Sequence, residues 1–355
     1  MPLLRAEWWE AHQPFVVFMW IILLVVPFAI VYGAGDTFET VLECIVNDYL
    51  TFIVLLFGLF CVSGNITVGG DFAGSPRVNA CLLALGTLLS SCIGTTGASM
   101  LMVRPVIKMN SWRKRKRHIM VFFIFLISNM GGCLTPIGDP PLLMGFMRGV
   151  LPGMSAFQDA AGNVRGIRLY GEVTLTLPAL IEIVIILLAA FLSFKTTDSS
   201  IRTKNHFTWG AIKEVAVLFI GIFITMQPAL MLLKSVGPNL GISEPYQMFW
   251  ATGALSSFLD NTPTYLVFLT TAGTLGLTGG ITTALGQIPV NLLEAISCGA
   301  VFMGANTYIG NAPNFMVKAI SDENGVNMPS FFGYILWSLA FLVPVFILDM
   351  LVFFL

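Results

Sequence analysis

Residues 132–144 read GCLTPIGDPPLLM, and 172 positions later residues 304–316 read GANTYIGNAPNFM. Gly132/Gly304, Thr135/Thr307, Ile137/Ile309, Gly138/Gly310, Pro141/Pro313 and Met144/Met316 coincide without a gap. A second pair lies at an offset of 166, where LSSCIGTTGAS (89–99) matches LSSFLDNTPTY (255–265) at Leu89/Leu255, Ser90/Ser256, Ser91/Ser257 and Thr96/Thr262. Both kinds of segment are apolar and broken by Gly or Pro, and they occur in the same order in each half. Such corresponding breaks are the sequence pointer to a secondary-transporter architecture with its site near the bilayer midplane.

Composition supports a membrane chain. Of 355 residues, 56% are hydrophobic and only 10% charged, whereas a soluble domain carries roughly 25% charged residues. Apolar runs approach the length of about 20 residues that crosses some 30 Å of hydrocarbon as a helix. They are continuous, which excludes the alternating pattern of a barrel. The fold class expected is an all-α, polytopic membrane protein. The formal net charge of −1 gives no field suited to nucleic acid. Cys44, Cys61, Cys81, Cys92, Cys133 and Cys298 lie scattered in apolar segments without metal-ligand spacing, so reduced, packed thiols are expected and no transition metal. There is no P-loop, GxSxG or H-E-x-x-H, so neither an enzyme nor a cofactor is indicated. The first apolar run, Phe15 to Val31, has no signal-peptide cleavage site.

The expected crossings are 14–33, 48–66, 119–150, 172–195, 212–234, 288–320 and 331–355. Segments 78–110 and 246–272 are interrupted near their middles by Gly, Thr, Asn or Pro. Each is expected as a hairpin that enters and leaves on one side, because non-helical backbone at membrane depth survives only inside protein or beside a polar cavity. Placing the basic run Arg113 to Arg117, with Lys195, Arg202, Lys204, Lys213 and Lys318, on the cytoplasmic side agrees with non-crossing hairpins. The N-terminus is then cytoplasmic and the C-terminus external, with Arg165 and Arg168 as one mild violation. The chain reads as a single transporter domain over 1–355: an extra helix within 1–47, repeat 1 at 48–195 and repeat 2 at 212–355. Three crossings per repeat force the second copy to be inverted. The loop reading of 113–117 outweighs a lipid-headgroup or nucleic-acid patch.

Acidic residues inside apolar spans are the first functional candidates, since a charge at the bilayer centre costs several kcal/mol. Asp139 in TPIGDPP and Asp260 in FLDNTPT both sit at helix breaks, where uncapped backbone groups can coordinate a small cation. The competing reading for each is a helix cap or turn, and Asp260 carries the stronger functional expectation. At the repeat offsets Asp260 aligns with Gly94, Asn261 with Thr95, and Asp139 with Asn311. Each pseudo-equivalent pair thus holds one carboxylate and one neutral residue. Thr95, Thr96, Asn261, Thr262, Asn311 and Asn314 supply further oxygen ligands suited to hard cations, and Gly94, Gly138, Pro141, Gly310 and Pro313 mark the broken backbone. Glu182 and Glu294 are expected as relay groups or as carboxyls bonded between helices. Asp349 is expected near the external end of the last helix, and Asp36, Glu39, Glu43 and Asp48 in an external loop. His12, His118 and His206 are read as solvated loop residues. Arg104 and Lys318 lie beyond the breaks and snorkel; the breaks themselves carry Asp, which argues against carboxylate or phosphate as main substrate.

At IGTTGASMLMVRP (93–105), FFIFLISNMGGCLTPIGDPPLLMGF (122–146), SSFLDNTPTYLVF (256–268) and ANTYIGNAPNFMVKAI (305–320), the chain resembles the ion transporter superfamily of arsenite-pump/NhaD-type sodium–proton antiporters and divalent-anion:sodium symporters. The likeness covers most of the chain and is nearest to the bacterial sodium:proton antiporter and citrate transporter group. It implies two inverted repeats, each with a re-entrant hairpin and an unwound helix, and a homodimer with a large interface. The symporter branch carries Ser-Asn-Thr at its hairpin tips; here the tips read Gly94-Thr95-Thr96 and Asp260-Asn261-Thr262, which fits the antiporter branch better. The expected activity is Na+/H+ exchange by alternating access in a bacterial inner membrane, with membrane lipid, protons and a monovalent cation (Na+ or Li+) as partners and Asp260 binding ion and proton in turn. The alternative is a sodium-coupled symporter of citrate or another organic anion; a passive channel is disfavoured by the broken-helix repeats.

Overall fold

A computed structural model describes residues 6–65, 73–145, 166–204, 209–236, 241–283 and 285–355. In chain order its elements are α1 (Ala6–Tyr32), α2 (Ala34–Glu43), α3 (Leu50–Gly64), α4 (Pro76–Ile93), α5 (Thr95–Met109), α6 (Arg117–Leu126), α7 (Pro140–Gly145), β1 (Gly166–Tyr170), β2 (Val173–Thr176), α8 (Leu177–Thr196), α9 (Ser199–Lys204), α10 (Gly210–Val236), α11 (Pro245–Ser256), α12 (Asn261–Thr274), β3 (Ile281–Thr283), β4 (Gly286–Ile288), α13 (Val290–Met303), α14 (Ala312–Glu323) and α15 (Phe331–Asp349). Among the described residues, seven helical stretches are long and apolar enough to cross a membrane: 11–32, 34–62, 76–93, 117–134, 177–196, 215–232 and 331–354. The protein is a helical, multi-pass membrane protein. Large apolar side chains such as Phe15, Leu188 and Phe332 stand exposed on α1, α8 and α15, as a surface facing hydrocarbon requires.

Some sequence expectations need correction. Asp36, Glu39, Glu43 and Asp48 are not in a loop: α2 runs through a π-helical turn, Cys44–Tyr49, directly into α3. His12 and His118 are exposed but helical, on α1 and α6, and His206 lies outside the described residues. The segment after 165 forms a two-stranded hairpin, β1 with β2, and β3 pairs β4 similarly. Neither Glu182, half-buried on α8, nor Glu294, exposed on α13, forms the expected inter-helix carboxyl bond among the described residues.

Contacts group the chain into two compact units that each draw on both halves: residues 1–62 with 152–231, and 63–151 with 232–355. In the first, Phe52 of α3 packs on Phe219 and Phe223 of α10, with ring centroids 4.7 and 5.5 Å away. Tyr49 Oη donates to the Ala216 carbonyl at 3.0 Å, and the Glu172 backbone N–H donates to Glu39 Oε1 at 2.7 Å, tying the β-hairpin to α2.

The second unit contains the segments singled out by the repeat. Its core gathers Met102 and Val103 (α5), Phe123 and Ile124 (α6), Leu269 (α12), Ile296 (α13) and Phe346 (α15). Here α4 has 18 residues, about 27 Å of helix, so by length it could span. Instead the chain turns at Gly94 and α5 returns along it. Asn79 near the start of α4 and Asn110 just after α5 exchange side-chain bonds, Nδ2 to Oδ1, at 2.9 and 2.8 Å. The base is latched again by Arg113 Nε donating to the Gly74 carbonyl at 2.9 Å. Both ends of the segment therefore lie together, as the hairpin expectation requires. Single cysteines at positions 79 and 110, in a chain stripped of native cysteines, are expected to react with an impermeant reagent from the same face of the membrane. Labelling from opposite faces would mean that the latch does not exist in the bilayer.

Candidate functional site

The two hairpins of the second unit differ at their tips. In the first, Gly94 alone separates α4 from α5, at φ 78° and ψ 153°, a backbone conformation essentially confined to glycine. In the second, residues 257–260 make the turn and Asp260 caps α12, its carboxylate accepting the Thr262 N–H at 3.1 Å. Asp or Asn is a preferred residue at such a cap because it satisfies an amide with no helical partner. Gly94 and Asp260, aligned in sequence, thus occupy the same structural position: each is the residue before the returning arm. Thr95 and Asn261 are then the first residues of those arms, followed by half-buried Thr96 and fully buried Thr262.

The broken helices are held open by backbone-directed hydroxyls. After α6 the chain makes a 3-10 turn, Met130–Leu134, and extends through Thr135 before α7 begins at Pro140. After α13 a 3-10 turn, Gly304–Asn306, and an extended Thr307 precede α14. Pro141 and Pro313 each stand in the first turn of the restarted helix, where a missing N–H costs nothing. The bonding repeats at the sequence offsets. Ser91 Oγ donates to the Gly131 carbonyl and Ser257 Oγ to that of Met303. Thr135 Oγ1 donates to the Ser91 carbonyl and Thr307 Oγ1 to that of Ser257. Gly138 N–H donates to Thr135 Oγ1, and Gly310 N–H to Thr307 Oγ1, both at 3.1 Å. Each hairpin is thereby stitched to the broken helix of its own half.

The halves meet at Asp139. Its side chain is fully buried. Oδ1 accepts the Thr95 hydroxyl at 2.9 Å, and Oδ2 accepts Asn261 Nδ2 at 3.1 Å. The first residues of both returning arms therefore converge on one carboxylate, 44 and 122 positions away in sequence. The Thr95 N–H also donates to the Gly138 carbonyl at 2.9 Å, and Asn261 Oδ1 accepts Ser256 Oγ at 2.8 Å. Asn311 and Asp260 are near enough to act on the charge of Asp139. No basic side chain of the described residues touches it. With one donor on each oxygen, the carboxylate keeps free lone pairs for a proton or a cation.

Asn311, the counterpart of Asp139, has the opposite surroundings. Its Nδ2 donates to the Ser128 carbonyl at 3.1 Å and to Asn129 Oδ1 at 3.2 Å. Asn129 Nδ2 donates in turn to Asn314 Oδ1 at 2.7 Å, and Asn314 Nδ2 to the carbonyls of Gly304 and Thr307, both at 2.9 Å. Donors face position 139 and acceptors face position 311, so the unequal charge of the pair is written into the neighbouring bonds. Asn311→Asp would set a carboxylate against two acceptors. Its expected loss is about 3 kcal/mol, at the upper end for a buried group left unsatisfied, read as a fall in the melting temperature of the detergent-purified chain; an unchanged melt would refute this polarity argument.

The structure thus gathers Thr95, Asp139, Asp260, Asn261, Thr262, Asn311 and Asn314 in one unit around the two breaks, but it places Asp139 rather than Asp260 where both tips meet. Sequence reasoning missed Asn129, Ser128 and the stitching roles of Ser91, Ser257, Thr135 and Thr307. The last four were visible as identities between the repeats, and Ser128-Asn129 as the one polar pair within an apolar run.

Two hairpin tips closing on one buried carboxylate at a helix break, in a multi-pass helical chain, fit a membrane transporter. The family described as "Putative citrate transport" matches residues 1–158 and 154–354. The chain belongs to that family. No curated protein matches it.

Proposed function

We propose that the protein is a cation:proton antiporter that exchanges Na+ for H+ by alternating access, in a bacterial inner membrane with the N-terminus cytoplasmic and the C-terminus external. Asp139 is the shared site: a cation enters as its proton leaves, and competition at one carboxylate suffices for exchange. Thr95, Asn261 and the unwound backbone at 135–139 complete the oxygen shell, with Asp260 and Thr262 beside it and Asn311 and Asn314 holding the second break. Hard monovalent cations suit such ligands. The observation that carries the reading is a buried carboxylate held by neutral donors with no cationic partner among the described residues, a setting that favours a positive passenger over an anionic one. The matched hydrogen bonds of the two halves support the further proposal that 48–195 and 212–355 are inverted copies and that both hairpins are re-entrant.

One observation favours a second reading. The description of the family is of citrate transport, so a sodium-coupled symporter of citrate or a related organic anion stands as the alternative. Proteoliposomes loaded with a pH-sensitive dye separate the two when Na+, Li+, K+ and citrate are added in turn. Cation-driven proton flux without citrate is the expected result. Uptake of labelled citrate that requires Na+, with no proton flux in its absence, would select the symporter and overturn the antiporter.

A further inference from the structure

The basic run at 113–117 has a structural setting that its sequence alone does not disclose. Two adjoining cavities of the second unit, about 460 and 400 Å3, share Arg117 and Trp337 as walls. One opens among Lys114, Arg115, Lys116 and His118 and the turn at 325–327. The other runs along α15 past Leu336 and Phe341. Trp337 and Phe341 stack at 5.5 Å, Phe122 of α6 meets Phe341 edge-on at 5.3 Å, and Leu336 is 67% exposed. A cationic mouth is therefore continuous with an aromatic and aliphatic channel on a face that meets hydrocarbon.

We propose that this groove between α6 and α15 is a binding site for an anionic phospholipid, whose phosphate is held by Arg117 with Lys114 and Lys116 and whose acyl chain lies along Trp337 and Phe341. Arg117 Nε donates to the Asn327 carbonyl, which fixes the guanidinium at the mouth and leaves its two terminal nitrogens for a forked phosphate contact. Lys114, Arg115 and Lys116 bond no acidic side chain among the described residues, so their charge is available to the ligand. Basic pockets between membrane helices are a recurring headgroup site, and each Lys or Arg near an anionic surface adds attraction. Trp at the headgroup level is at home there. A free phosphate would use the mouth alone and leave the channel without a role. Lipid chemistry accounts for both.

The test uses the full chain, delipidated in detergent and placed in phosphatidylcholine nanodiscs carrying a minority of phosphatidylglycerol. Native mass spectrometry should find phosphatidylglycerol retained in clear preference to phosphatidylcholine. Arg117→Gln and Lys116→Gln should each weaken that retention about fivefold, and Trp337→Ala should weaken it too, with millimolar inorganic phosphate failing to displace the lipid. Lys114→Gln, at an exposed position, serves as the variant least able to disturb folding and should show the same direction of change. Equal retention of the two lipids, or unchanged retention in all four variants at unchanged melting temperature, overturns the proposal. Displacement by inorganic phosphate also overturns it, in favour of a free-anion site.

Discussion

Replacing Asp139 by Asn is expected to leave an inserted, folded chain whose cation-driven proton flux has fallen by about a hundredfold or more. The size follows from what the side chain does in the proposed exchange. A buried ion that loses its charged partner forfeits roughly 3–5 kcal/mol, and every 1.4 kcal/mol is about tenfold in occupancy. Folding suffers less. An Asn at 139 can still accept the Thr95 hydroxyl through its oxygen, but its amide would then face Asn261 Nδ2, now bonded to Asp139 at 3.1 Å. One unsatisfied donor costs about 1–3 kcal/mol, so the melt must be measured beside the flux. Asp260→Asn is the internal comparison. The carboxylate of Asp260 caps α12 through the Thr262 N–H, and Asn caps about as well as Asp. That variant should melt near the parent and keep most of its flux. Near-normal flux in Asp139→Asn would return Asp139 to a structural role. A silent Asp260→Asn, with Asp139→Asn active, would move the exchange site to the tip of the second hairpin.

The same pair of residues shows how far the sequence could be read. The breaks were legible because Gly and Pro interrupt apolar runs, and because Gly138/Gly310 and Thr135/Thr307 recur at a fixed offset of 172. The structure gives those identities matching bonds. Which carboxylate lies at the junction was not legible, since it depends on loops 44 and 122 residues apart converging in space. Nothing in the spacing of Asp139 or Asp260 encodes that approach. Local chemistry also misled in one place. Asp36, Glu39, Glu43 and Asp48 crowd a short stretch and read as a solvated loop, yet the first three recur at intervals of three and four, the spacing of one helical face. The chain can therefore wet its acidic face and still run as one helix from Ala34 to Gly64, with a π-helical turn in its course. Both two-stranded hairpins escaped for a different reason: strands as short as Ile281–Thr283 and Gly286–Ile288 leave too few residues for any period to show.

Gly138→Ala and Gly310→Ala should each destabilise the packed form of its own break, by close to the same amount. A Cβ added at 138 would stand 2.3 Å from the Gly132 carbonyl oxygen; one at 310 would stand 2.5 Å from that of Gly304 and 2.8 Å from that of Ser256. These neighbours are backbone, so no rotamer change relieves the overlap, and the extended segment must move outward. Overpacking of this kind costs about 1–3 kcal/mol, and the movement strains the Thr135 and Thr307 bonds to the glycine amides at 3.1 Å. At 138 it also pulls on the Thr95 N–H, which donates to the Gly138 carbonyl at 2.9 Å, and so displaces Asp139 next door. Gly138→Ala should therefore lose transport even in molecules that remain folded, whereas Gly310→Ala should lose mainly stability. Gly35→Ala, in the first turn of α2, is the control, because a Cβ there meets nothing within 4 Å and alanine is the better helix former; its melt should hold or rise. A Gly138→Ala chain with parental melting temperature and parental flux would mean that the break is not closed against Gly132 in the working protein, and the stitched geometry around Asp139 would lose its foundation.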